Sequence, residues 1–156
     1  MRTIDELIAE SPVFTGLEQA HLELIAGCAR NVHIEAGAML MREGDPADRF
    51  FLIRHGVVAL EVDAPGRGSL VAQTLHEGEV VGWSWLFAPY RWQNDGRAVA
   101  SCSLVMFDGA CLRGKCDADH ELGYQLMTRF VANVIERLQG TRLQLLDVYG
   151  RAPAEA

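Results

Sequence analysis

From Gly37 to Gly82 the chain repeats one pattern, a short apolar run closed by a glycine. Glycines stand at Gly37, Gly44, Gly56, Gly66, Gly68, Gly78 and Gly82, and between them lie "AMLM", "FFLI", "VVALEV" and "LVAQTL". Segments this short and this rich in Val, Leu, Ile and Phe, separated by turn formers, predict strands of an antiparallel sandwich or barrel. "DAPGRGS" reads as a hairpin turn, and a last long strand is expected near 97–107. Residues 31–108 therefore form the β part of the chain.

The flanks carry helical signals. Thr3 with Glu6, and Thr15 with Glu18, have the spacing of capping boxes and predict two short helices near 4–10 and 17–28. After Asp108 comes the short segment "GACLRGKC", and Asp117 or Asp119 can cap a helix that runs to about Val148 and stops at Gly150. Met127, Val131, Val134, Leu138, Thr141, Leu145 and Val148 follow one another at intervals of four and three, a heptad seam. Leu126, Phe130, Ile135, Leu143 and Leu146 lie off that seam and widen the apolar surface. A helix apolar on more than one face must bury more than one face. One side is expected on the β part and the seam on a second copy of the chain. The organisation expected is one domain over 1–150, with leading helices to residue 30, closing helices over 109–149, and a tail over 151–156.

Composition excludes several functions. The 156 residues carry a net charge of −7, and Lys115 is the only lysine beside scattered arginines. Nucleic acid calls for a clustered basic footprint, which is missing, so no direct contact with it is expected. The start "MRTIDELIAESPVF" lacks the apolar core of a signal peptide, and no run approaches a membrane span. A cytoplasmic location is expected. Cys28, Cys102, Cys111 and Cys116 form no CxxC pair and have no histidine at zinc-ligand spacing, so they are expected to be small buried apolar residues, with no metal. Neither a nucleophile elbow, nor a P-loop, nor HExxH is present, and no enzymatic activity is expected. Glu43, Asp45 and Asp48 in "REGDPAD" are read as turn residues rather than as catalysts.

Three stretches, "GLEQAHLELIA", "AGAMLMREGDPADRFFLIRHGVVAL" and "HEGEVVGW", give the chain a likeness to a known family. It resembles the cyclic-nucleotide-binding domains of the catabolite activator protein family over about residues 10–150. The resemblance implies a jelly-roll-like β-roll, mainly β, with N-terminal helices and a long C-terminal helix. It also implies a cassette between two strands that cradles a cyclic phosphate. The family's gene-switching members carry a helix-turn-helix after the long helix. Here "GRAPAEA" follows, so no DNA reader is expected within this chain.

In the family a glutamate directly after the cassette glycine accepts a hydrogen bond from the ribose, and a later arginine followed by alanine holds the phosphate. By this resemblance Gly82 is the cassette glycine and Trp83 stands where the glutamate is expected. Arg97, followed by Ala98, matches the arginine, although Arg91 lies nearer the usual distance from the glycine. An indole N–H donates and cannot replace a carboxylate acceptor. Losing such a bond costs roughly 1.5–3 kcal/mol, or ten- to a hundredfold in affinity. Gly82, Ser84 and the N–H groups of Trp83 to Trp85 could still form an anion nest with Arg97 above it. Arg97 could equally be a structural ion pair, for instance with Asp95, and Arg91 a surface cation beside Tyr90 and Trp92. The cluster of Trp83, Trp85, Phe87, Tyr90 and Trp92 could stack on an aromatic ligand or plug the old pocket.

Two functions follow. One is a homodimeric sensory module, paired through Met127, Val131, Val134, Leu138 and Leu145. It would bind a small anionic ligand other than ordinary cAMP, or cyclic nucleotides weakly, and would signal to a partner protein. The other is a ligand-free interaction module whose pocket the tryptophans fill. No cofactor is expected beyond such a ligand.

Overall fold

The computed structural model describes residues 3–150. Two short helices lead, α1 (Ile4–Glu10) and α2 (Gln19–Ala26). Eight strands follow, β1 (Ala29–Ile34), β2 (Met39–Met41), β3 (Arg49–His55), β4 (Val58–Ala64), β5 (Gly68–Leu75), β6 (Val80–Val81), β7 (Asp95–Ala98) and β8 (Cys102–Asp108). A short 3-10 turn, Ser84–Leu86, sits between β6 and β7, and α3 (Gly109–Ala118) and α4 (His120–Gly150) close the chain. The strands make two antiparallel four-stranded sheets, ordered β1-β8-β3-β6 and β2-β7-β4-β5. The glycine-spaced runs are the strands of an antiparallel fold, and the whole is the mainly β roll with flanking helices that the resemblance implies.

The first sheet is buried on both faces, which explains why "FFLI" shows no polar alternation. Phe50 and Leu52 of β3, with Val105 and Phe107 of β8, point to a core shared with the helices. Phe51 and Ile53, with Cys102 and Leu104, point instead into the roll between the sheets. Each fully buried side chain of this size contributes roughly 1.5–3 kcal/mol. The helices are held on the first core by Ile8, Leu22, Ile25, Leu112, Leu122, Leu126 and Phe130.

The chain departs from the sequence reading in four places. The capping box at Thr3 and Glu6 forms, but the one expected at Thr15 does not. Thr15 donates its hydroxyl to the Ser11 carbonyl at 2.7 Å, and α2 starts from Glu18 without a side-chain cap. A local hydroxyl-to-carbonyl bond has replaced the cap. The single strand expected over 97–107 is two strands, because β7 belongs to one sheet and β8 to the other. Buried Ala98 and Cys102 bracket the crossing. "GACLRGKC" opens a ten-residue helix, α3, capped by the Asp108 carboxylate, which accepts from the Cys111 N–H. Finally, Cys102 and Cys116 are buried thiols as expected, but Cys28 and Cys111 are joined in a disulfide. Their Cα atoms lie 5.9 Å apart across 83 residues. The pairing of β1 with β8 brings them together, since Ala29 lies opposite Phe107 and Asp108 donates its N–H to the Cys28 carbonyl.

The long helix α4 begins where Asp119 accepts from the Leu122 N–H. That bond, with the neighbouring His21 imidazole at 3.3 Å, holds the Asp119 carboxyl below the usual range. Leu122, Leu126 and Phe130 are buried, but beyond them the helix leaves the core. Among the described residues no helix is long and apolar enough to cross a membrane.

Candidate functional site

The cassette begins where β6 ends. Val80 and Val81 are buried against β3, and Gly82 turns the chain with φ of +96°, a left-handed conformation that favours glycine. A second constraint acts on the same residue. A Cβ there would come within 2.7 and 2.8 Å of two ring carbons of Trp92. The Trp92 indole thus lies directly on the cassette glycine.

Trp92 is held there by its own backbone. Its N–H donates to the Asp45 carbonyl at 3.0 Å, and its carbonyl accepts from the Gly44 N–H at 2.9 Å. The Ala47 N–H donates to the Tyr90 carbonyl at 2.7 Å, and Pro46 bridges Arg91. The "REGDPAD" turn therefore works as a second edge against which the end of the cassette loop is laced. The indole itself is buried in the roll with Met41, Leu60 and Val81.

What remains open is very small. A cavity of about 10 Å³ is lined by Met41, Leu60, Gly82, Trp83, Ser84, Trp92, Gln93, Asn94 and Arg137. That is space for one water at most, whereas small-molecule pockets measure roughly 300–1,000 Å³. The cation beside this cavity comes from α4. Arg137 donates from Nη2 to the Val80 carbonyl, at the strand that carries the cassette. Burial pushes its guanidinium pKa down, while Glu79 and Glu136 act in the opposite sense.

The expected site residues separate in space. Gly82, Trp83 and Ser84 line the small cavity. Trp85 is fully buried in the other core, stacked on Phe50 at 4.6 Å and edge-on to Phe130 at 5.3 Å. Only its carbonyl reaches outward, accepting from Arg113 Nη1 at 2.5 Å. Arg97 is not at the cassette. Along β7 Gly96 and Ala98 are buried on the inner face, so strand alternation turns the Arg97 side chain to the outer face. There it pairs with Glu61 at 2.8 Å and donates to the Gly37 carbonyl at 3.2 Å. The ion pair is with Glu61 and not with Asp95, whose carboxylate accepts from the Glu43 N–H at 2.7 Å. Hydrogen bonds from the Ser69 hydroxyl and from Arg97 hold the Glu61 carboxyl below its ordinary value. Arg91 is an exposed cation donating to the Gly44 carbonyl, and the guanidinium lying over Tyr90, 4.5 Å from the ring centre, belongs to Arg113.

Two residues that matter here were not singled out by sequence. Trp92 was one of five aromatics with no feature to set it apart. Arg137 lies outside the cassette stretch altogether and carries no local signal.

A β-roll with a glycine-led cassette and a long closing helix defines a class, and comparison places the chain within it. The model of the cyclic nucleotide-binding domain family matches residues 31–119, and the chain belongs to that family. A CRP-like cAMP-activated global transcriptional regulator of Mycobacterium tuberculosis is 26% identical over 151 residues, 95% of this chain. The chain spans 66% of that regulator's length. A candidate cyclic nucleotide-binding protein from Geobacter metallireducens superposes with a TM-score of 0.78 at 26% identity, over 88% of this chain and 99% of the other. The sensor domain of the transcriptional regulator DNR from Pseudomonas aeruginosa has the same fold, with a TM-score of 0.69 at 17% identity over 86% of this chain and 91% of its own. The chain is a regulatory domain of the cyclic-nucleotide-binding type.

Proposed function

We propose that this domain is a homodimeric, non-catalytic regulatory module whose cassette is closed by its own Trp92, and that it signals to a partner protein through α4. The observation that carries the reading is the Trp92 ring on Gly82, with about 10 Å³ left on the side of Gly82, Trp83 and Ser84. A cyclic nucleotide needs both the volume that the Trp92 ring fills and an anchoring arginine. Arg97 is occupied by Glu61 on the outer face. A different small anion at the same cassette would also have to displace Trp92, against two backbone hydrogen bonds and the burial of an indole. These features favour a filled pocket over a ligand-binding one.

The dimer reading rests on α4. Leu138, Leu145 and Val148 are 56%, 55% and 67% exposed, and Tyr124, Ile135, Leu143 and Leu146 also lie in solvent. An apolar stripe of this length is stable in water only when covered, and its heptad spacing suits a second copy of the same helix.

The test is thermal denaturation and native mass spectrometry of the full chain with cAMP and with cGMP. The expected result is no bound mass and no shift in Tm. At a hundredfold excess over Kd, true binding would add about 2.7 kcal/mol, or roughly 5–10 °C for a domain of this size. A rise of that order with either nucleotide overturns the closed cassette.

A further inference from the structure

The helix α3 stands between the roll and α4, and it is anchored on two sides. Toward the roll, Arg113 donates to the Trp85 carbonyl and lies over Tyr90. Toward the leading helices, Lys115 donates from Nζ to the Leu24 carbonyl at 2.7 Å, at the end of α2. Cys111, one helical turn before Lys115, is bonded to Cys28, which directly precedes β1 in the two-residue link from α2. The covalent link therefore lies on the same side of α3 as the Lys115 contact.

The four cysteines differ in their chemistry. Cys102 is buried and its thiol faces the carbonyls of Val57 and Ala100. Cys116 is buried among apolar groups beside Asp117 and Asp119, and its thiol is pushed up to about 11 by burial first and by those carboxylates second. Cys116 therefore forms thiolate reluctantly, and thiolate is the species that exchanges, while Cys102 is shielded by its burial. Cys111 is different. It is half-buried, so a small disulfide or thiol can approach it. It sits in the first turn of a ten-residue helix, where the backbone N–H groups favour a thiolate. The Lys115 ammonium on the same face acts in the same direction, while the Asp108 carboxylate at the cap opposes it.

We infer that Cys28 and Cys111 are a reversible thiol–disulfide pair that clamps α3 to the α2–β1 junction and exchanges with low-molecular-weight disulfides of the glutathione class. In the oxidising direction a Cys111 thiolate attacks one sulfur of the small disulfide and releases one small thiolate. The Cys28 thiolate then attacks Cys111 in the mixed disulfide and releases the second. Two protein thiols and one small disulfide become one protein disulfide and two small thiols, with two electrons transferred. Cys102 and Cys116 take no part. The inference does not depend on the state of the cassette.

The test equilibrates the full chain in buffers of increasing ratio of glutathione disulfide to glutathione. After acid quench, the chain is unfolded, alkylated and weighed intact. The expected result is one transition from four alkylated cysteines to two, with Cys102 and Cys116 modified throughout. Reduction should lower Tm by about 5–15 °C, as expected for opening a loop of this length. It should also speed amide exchange in α3. Four alkylated cysteines at every ratio, or two under fully reducing native conditions, overturns the reversible pair. Unchanged exchange in α3 on reduction overturns the clamp. In Cys28→Ser the same buffers should leave a glutathione adduct on Cys111. An adduct on Cys102 or Cys116 instead overturns the assignment.

Discussion

The replacement Trp92→Ala bears most directly on the closed cassette. Trp92 is 5% exposed and packs on Gly82, Met41 and Leu60. A buried tryptophan removes about 150–250 Å² from water. At about 25 cal/mol per Å² this amounts to roughly 4–6 kcal/mol, an upper bound because unfolded chains are partly collapsed. Measured Trp→Ala changes in cores cost about 3–5 kcal/mol. The flexible Arg137 side chain can relax toward the void, so we expect the lower end, about 3 kcal/mol. That corresponds to a fall in Tm of about 6–12 °C. The assay is urea unfolding followed by far-ultraviolet circular dichroism, at one fixed chain concentration so that association does not contribute. Trp83→Ala is the internal control. Trp83 is only half-buried, so its loss should be clearly smaller. A cost below about 1 kcal/mol for Trp92→Ala, or a larger cost for Trp83→Ala, would refute the argument that Trp92 is the wedge.

Two further outcomes follow from the geometry. Val134→Asp combined with Leu138→Asp places two carboxylates in each copy's α4 seam and should yield monomers, because all four charges would have to be desolvated in the dimer. An unchanged sedimentation coefficient contradicts the seam. For the outer-face ion pair, the lowered Glu61 pKa means that the folded state binds its proton less readily than the unfolded chain does. The pair therefore stabilises fully above the ordinary glutamate value of 4.5, and its contribution is lost as pH falls through the lowered folded value. Glu61→Gln should melt below the native chain at pH 7, and the two curves should converge in acid. A difference that stays constant from neutral to acid pH contradicts the pairing with Arg97 and Ser69.

Several features were legible in the sequence because they are local. The capping box at Thr3 and Glu6, the hairpin at "DAPGRGS", the short strands and the heptad of α4 each depend on residues a few positions apart. Gly82 ends β6 with a left-handed φ, a local backbone requirement that glycine meets. Arg97 was placed at the cassette by the alanine that follows it. Strand alternation sends Ala98 inward and Arg97 outward, so the same dipeptide puts its cation on the far side of the sheet. The ion pair with Glu61 needs the β4–β7 register, which pairs Glu61 with Asp95 and Ala59 with Arg97. No count along the chain supplies that register.

The sequence alone determined most of the elements and their order, because periodicity, turn chemistry and caps act over one or two turns of chain. Tertiary structure decided the state of the cassette and the pairing of the cysteines. Trp92 lies on Gly82 only because the Gly44–Ala47 turn holds its backbone, and Arg137 approaches only because α4 returns across β6. Cys28 and Cys111 meet only because β1 and β8 are neighbours in one sheet. Contacts between residues far apart in sequence are set by how sheets and helices stack. A tryptophan that fills a pocket and one that lines it are the same residue until that stacking is known.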